Sequence, residues 1–203
     1  MKKKLTLGIC LVLVLGLAVG GTLALFNTQT DVVENTFTVG SGVDIDIKEP
    51  AWDGSDFDGT YIPPTGEELG KDTATNFGPT DVINKNPQVK NNSDDISIFA
   101  AMEIVYSDGI TSYDDLANFA TIDFNTNDWE FNATHTVAYY KHALAKGEKT
   151  KPVFNTVTIA ESADASTLKG FKISVKGYAV QKSGEATIAN IKAMLQSEFS
   201  NLK

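Results

Sequence analysis

Cysteine is almost absent from this chain: Cys10 is the only one among 203 residues, and it sits inside an N-terminal apolar run. Once that run is removed no thiol remains, so neither disulfides nor thiolate chemistry can contribute to the fold or its activity. Histidine is nearly as scarce. His135 and His142 stand seven residues apart across a segment that reads as a strand, an odd spacing that sends side chains to opposite faces. No H-E-x-x-H occurs, which argues against a zinc protease, and no G-x-S-x-G accompanies either histidine to suggest a serine hydrolase. The glycine clusters of a P-loop or a dinucleotide site are missing, and no internal repeat is evident. Positive charge is also short, with 17 Lys+Arg against 26 Asp+Glu. Such a balance opposes binding to nucleic acid or to anionic lipid, both of which need clustered cations. No catalytic residue, no cofactor and no resident metal are expected, and the chain reads as a non-enzyme.

What is present begins with a secretory signal. Lys2, Lys3 and Lys4 precede an apolar run from Leu5 to Val19, followed by the small residues Gly20 and Gly21. Thr22 and Ala24 then occupy the two positions where a signal peptidase accepts only small side chains, placing cleavage before Leu25. The 15 apolar residues from Leu5 to Val19 fall short of the ~20 that span a bilayer, so no stable membrane anchor is expected after cleavage. Ile9 is too bulky to precede a lipidated cysteine at Cys10. Cleavage divides the chain into a signal peptide, 1–24, and a single domain, 25–203, of a size that can bury a substantial core. It also removes three lysines and sharpens the charge to about −12, which serves solubility.

Short strands dominate the remainder. Val32 to Val39 and Val43 to Lys48 read as strands, the second alternating Val43, Ile45 and Ile47 with Asp44, Asp46 and Lys48. Residues 50–87 carry five of the six prolines and read as a long loop region containing one short strand at most. Ile96 to Tyr106 is the most apolar stretch past the signal and predicts a central strand covered on both faces. Ser112 with Asp115 predicts an N-cap and a short helix over Tyr113 to Phe119. Trp129–Phe131, Thr134–Tyr140, Val153–Ile159 and Phe171–Gln181 complete the strands. Ile188, Ile191, Leu195 and Leu202 recur at helical spacing and predict a C-terminal amphipathic helix over Glu185–Leu202. The expected fold is mostly β, an antiparallel β-sandwich with short helical insertions. Asp53, Asp56 and Asp58 form the densest set of oxygen ligands, a weak calcium candidate whose spacing departs from the EF-hand pattern and which reads by default as an acidic turn.

The segment from Gly20 to Ile47 resembles the opening of the TasA/camelysin family. Gly20, Gly21, Thr22, Ala24 and Phe26 fit its G-G-T-x-A-x-F element, Asn35, Phe37 and Gly40 its N-x-F-x-x-G element, and Asp44, Ile45, Asp46 and Ile47 its strand of alternating aspartates and aliphatics. The resemblance continues as a weaker pattern through Asn86 to Ser93 and the strand after it. It implies a dedicated ER-type signal peptidase as processing partner, a jelly-roll-like sandwich, and a structural role in the extracellular matrix or biofilm of a Gram-positive-type bacterium, secreted or held at the cell surface. Some camelysin-type members are described as metalloproteases, a role that the missing H-E-x-x-H opposes here. Fibres in the family form by donation of the freed N-terminal strand to a neighbour. Phe26, Val32, Val33, Phe37 and Val39 would be the donor's apolar residues, although the same segment can equally serve as the first strand of its own domain. A fibre-forming matrix subunit, associating with itself or with related subunits, is thus the leading expectation, with a monomeric surface-binding or accessory module as the alternative.

Mass spectrometry of the protein released by its native host should find Leu25 at the N-terminus, and Ala24→Phe should leave precursor in the membrane. An intact Met1 on the released protein contradicts this reading.

Overall fold

A computed structural model describes residues 42–60, 70, 78–107, 110–163 and 171–203. All of them belong to one unit that spans Val33–Lys203. The signal segment, the cleavage residues Thr22, Ala24 and Leu25, the predicted strand Val32–Val39 and the donor residues Phe26, Val32, Val33, Phe37 and Val39 lie outside the described residues.

The described chain is mostly β, built of antiparallel sheets with a few helices. Its strands are β1 (Ile45–Lys48), β2 (Val82–Asn84), β3 (Gln88–Asn91), β4 (Ile98–Ser107), β5 (Ala120–Ile122), β6 (Trp129–Phe131), β7 (Val137–Tyr140), β8 (Thr156–Ile159) and β9 (Lys172–Gln181). They form a four-stranded sheet in the order β6-β7-β4-β9, a three-stranded sheet β2-β8-β5, and a β1-β3 ribbon. Every pairing among them is antiparallel.

The apolar run around β4 does form the predicted central strand. Its period of two sends Ile98, Ala100, Met102, Ile104 and Tyr106 into one cluster, shared with Ile47 and Val89 of the ribbon and with Ile83, Ile122, Val157 and Ile159 of the three-stranded sheet. Phe99 and Ala101 enter a second cluster with Val137, Tyr139, Tyr178 and Val180. Fully burying one large aliphatic side chain contributes about 1.5–3 kcal/mol, so the seven buried residues of β4, divided between its two faces, make it a costly strand to disturb.

Three helices interrupt the strands: α1 (Pro50–Asp53), α2 (Tyr113–Leu116) and α3 (Ile188–Glu198), the last followed by a 3-10 turn at Ser200–Leu202. At α2 the expected cap is present, because the Ser112 hydroxyl accepts from the Asp115 N–H, and Leu116 is driven into the core. Thr187 caps α3 in the same way at Asn190. Ile191, Leu195 and Leu202 are buried in the second cluster. None of the helices among the described residues is long and apolar enough to cross a membrane.

Some boundaries differ from expectation for identifiable reasons. The 50–87 stretch holds α1, started by Pro50 at its first turn, as well as β2. β7 starts at Val137 rather than Thr134, because the Asn132 carboxamide accepts from the Thr136 and Val137 N–H groups and closes a turn in which His135 takes φ 52°. β8 starts at Thr156 rather than Val153, since the Asp123 carboxylate captures the N–H groups of Asn155 and Thr156. β5 is unanticipated. Three residues are too few to display an alternation, and the segment owes its conformation to pairing with β8.

The ribbon approaches β9 closely at Gly177. A Cβ there would lie 2.5 Å from Ile47 Cδ1 and 2.9 Å from Cγ1, so only glycine lets β1 reach β9. Gly177→Ala should therefore destabilise the fold by about 1–3 kcal/mol through overpacking. Combined with Ile47→Ala in a denaturation double-mutant cycle, the two costs should sum to more than the double variant shows; strict additivity would contradict the contact.

Candidate functional site

Assembly by strand addition would use the ends of a sheet, where backbone donors and acceptors are offered to another strand. Among the described strands the four-stranded sheet ends in β6, three residues long, and β9, ten residues long. β9 is held in unbroken register with β4 from Ile98↔Gln181 to Ser107↔Lys172. It buries Ile173, Val175 and Gly177 on one side and Tyr178 and Val180 on the other. A two-residue slip would misplace all of these, so β9 is a rigid, well-registered element at the end of the described order.

The acidic loop is organised differently from a cation site. Asp53 Oδ1 accepts from the Ser55 N–H at 2.9 Å and from its hydroxyl at 2.6 Å. Asp58 Oδ1 does the same with Thr60, at 2.8 and 2.6 Å. Asp56 Oδ1 accepts from the Phe57 N–H and lies 3.7 Å from Lys149 Nζ. Each carboxylate thus closes its own turn or faces a lysine. The Thr60 hydroxyl and then its N–H hold the Asp58 carboxyl below the usual carboxylate range. Among the described residues no group of three acidic, histidine or cysteine side chains could hold a metal ion. Phe57 pins this loop to the body, with Lys149 5.5 Å and Lys90 6.0 Å from its ring centroid.

The two histidines have separate environments. His135 stacks on Phe124 at 4.7 Å and approaches Tyr113 and Phe131 at 5.2 and 5.4 Å. Its backbone carbonyl accepts from the Tyr106 hydroxyl, whose proton burial holds more tightly than usual. Its Nδ1 is buried with no hydrogen-bond partner among the described residues. His142 stands at the other end of β7 against the Tyr140 ring, with Nε2 3.7 Å from Asp128. Both serve as ring contacts at the margins of the β7 hairpin.

One charged pair escaped the sequence. Lys85 Nζ donates to Glu49 Oε2 at 2.5 Å, with both residues buried. The Trp52 ring centroid lies 4.9 Å from the ammonium, and the Asn86 carboxamide accepts from the Ala51 N–H at 2.7 Å. The pair ties the start of α1 to the end of β2 across 36 residues of chain. Nothing in the spacing of Glu49 and Lys85 announces it, because α1 has to turn the chain before the two groups meet.

No protein-family model matches the chain, and no curated protein matches its sequence. Geometry and composition therefore carry the functional argument.

Glu49→Leu should cost about 3–5 kcal/mol in chemical denaturation by leaving the Lys85 charge buried alone. Adding Lys85→Met should recover most of that loss. A double variant no more stable than Glu49→Leu would show that the pair is not the source of the cost.

Proposed function

We propose that this chain is a secreted structural or assembly protein of the cell surface or biofilm matrix of a Gram-positive-type bacterium. On this reading it is a jelly-roll-like sandwich closed by a C-terminal amphipathic helix. An ER-type signal peptidase frees its N-terminus at Leu25, and it then associates with copies of itself or with related matrix subunits. The segment from Leu25 to Val39 is the connecting strand, carrying Phe26, Val32, Val33, Phe37 and Val39 as its apolar residues. The protein acts without a cofactor and without catalysis.

The observation that carries this reading is the ten-residue β9 at the end of the described four-stranded order. On this reading the Leu25–Val39 segment of one copy adds to a sheet of another through backbone hydrogen bonds. The absence of an H-E-x-x-H motif and the use of the acidic-loop carboxylates in turn closure favour this role over a camelysin-type protease.

Deleting Leu25–Val33 from the mature protein should abolish filaments seen by electron microscopy while leaving the melting temperature unchanged. Truncated protein that still forms filaments overturns strand donation. A melting temperature that falls by the equivalent of several kcal/mol instead assigns Phe26, Val32 and Val33 to their own domain's core and favours the accessory-module reading.

A further inference from the structure

The second hydrophobic cluster is covered by one contiguous piece of chain. Ile191 and Leu195 of α3 and Leu202 of the 3-10 turn lie over Phe99, Val137, Tyr139, Tyr178 and Val180 of the four-stranded sheet. This strap joins the body through Ser183–Thr187, five consecutive exposed residues that follow the last β9 residue, Gln181, and Lys182, whose N–H donates to the Ser97 carbonyl. Gly184 reverses that link at φ 76°, and the Asn190 carboxamide braces it by donating to the Ser183 and Glu185 carbonyls at 2.8 and 2.9 Å. An isolated helix of 11 residues is marginal in water, so α3 depends on the face it covers.

The polar fastenings gather at the far end of the strap. The Tyr139 hydroxyl donates to the Leu202 carbonyl, and Gln196 Nε2 donates to that same hydroxyl at 2.9 Å and to the carbonyl at 3.1 Å. The Tyr178 hydroxyl donates to Glu103 Oε2 at 2.6 Å, and Asn201 Nδ2 reaches both, at 3.0 and 2.7 Å. Midway, Lys192 Nζ sits 3.4 Å from Glu130 and 5.4 Å from the Tyr139 ring centroid.

We propose that the strap, residues 188–202, is an exchangeable element: it opens about Ser183–Thr187 while the sheets stay folded, and the face it leaves is covered by the strap of a second copy. The occupant follows from hydrogen bonding. A purely apolar cover would leave Tyr139 without its carbonyl and amide partners, and buried polar groups stripped of partners oppose binding. Another copy's strap brings the same Gln196, Asn201 and Leu202 groups to the same partners. Exchange therefore costs the exposed link little beyond the Asn190 brace and the Gly184 turn, the usual circumstance of domain swapping.

Two experiments test this on the intact protein. In native-state hydrogen exchange the α3 amides should open more readily than those of β4 and β9. Tyr139→Phe with Asn201→Ala should speed α3 exchange about tenfold or more while leaving β4 unchanged. Deleting Ser183–Ala186 removes the turn, so the strap cannot fold back on its own body. Light scattering should then give a dimer whose helix content and dye binding match the parent's. Exchange of α3 amides only together with those of β4 overturns the independent opening. A hinge-deleted monomer, with the strap either docked or released to a dye-binding state, overturns the exchange.

Discussion

Both hydrophobic clusters depend on one strand, β4, which gives five residues to the first and two to the second. β4 sends alternate side chains to opposite faces, and a sheet strand buried on both sides couples the packing of everything laid against it. Disturbing Met102 or Ile104 would loosen the ribbon and the three-stranded sheet, whereas disturbing Phe99 would loosen the strap. The two alanines at the strand's centre, Ala100 and Ala101, are fully buried on opposite faces, so both layers approach closely at that point.

Around this strand the irregular connections are held by side chains that substitute for backbone partners. Asn91 donates to the carbonyls of Ile96 and Leu144 while accepting from Ser93, all from a fully buried position. Ser93 in turn bonds the N–H and the carbonyl of Asp44. Asp123 and Asn132 perform the same service before β8 and β7. In a domain without disulfides, these amides and carboxylates fix the loops that covalent links would otherwise restrain, and each leaves several backbone groups unsatisfied if removed.

Legibility in the sequence followed the length and regularity of each element. β4, β6 and β9, and the cap at Ser112, were readable because a hydrophobic run, an aromatic pair or a hydroxyl-to-acid spacing fixes them locally. β2 and β5 have three residues each and exist by virtue of β8, so no local pattern announces them. The alternation over Val43–Lys48 is visible in the sequence and the strand forms over Ile45–Lys48, yet that Ile47 would rest on Gly177 depends on a glycine 130 residues away in the chain. The acidic loop shows the converse. Its composition reads by default as an acidic turn with a weak calcium alternative, and its local hydrogen bonds, invisible to composition, commit the Asp53 and Asp58 carboxylates to Ser55 and Thr60. Glu49 and Lys85 are charged residues at unremarkable positions, and only the fold reveals that they meet.

The register of β4 with β9 also governs when the molecule can fold. The two strands are separated by the whole of β5 to β8, so their ladder requires closing a long loop and belongs to the slow, non-local class of contacts. During synthesis β4 is made well before its principal partner. The β4–β9 ladder thus forms only after the whole of β5 to β8 has been made, and until then β4 carries exposed apolar surface.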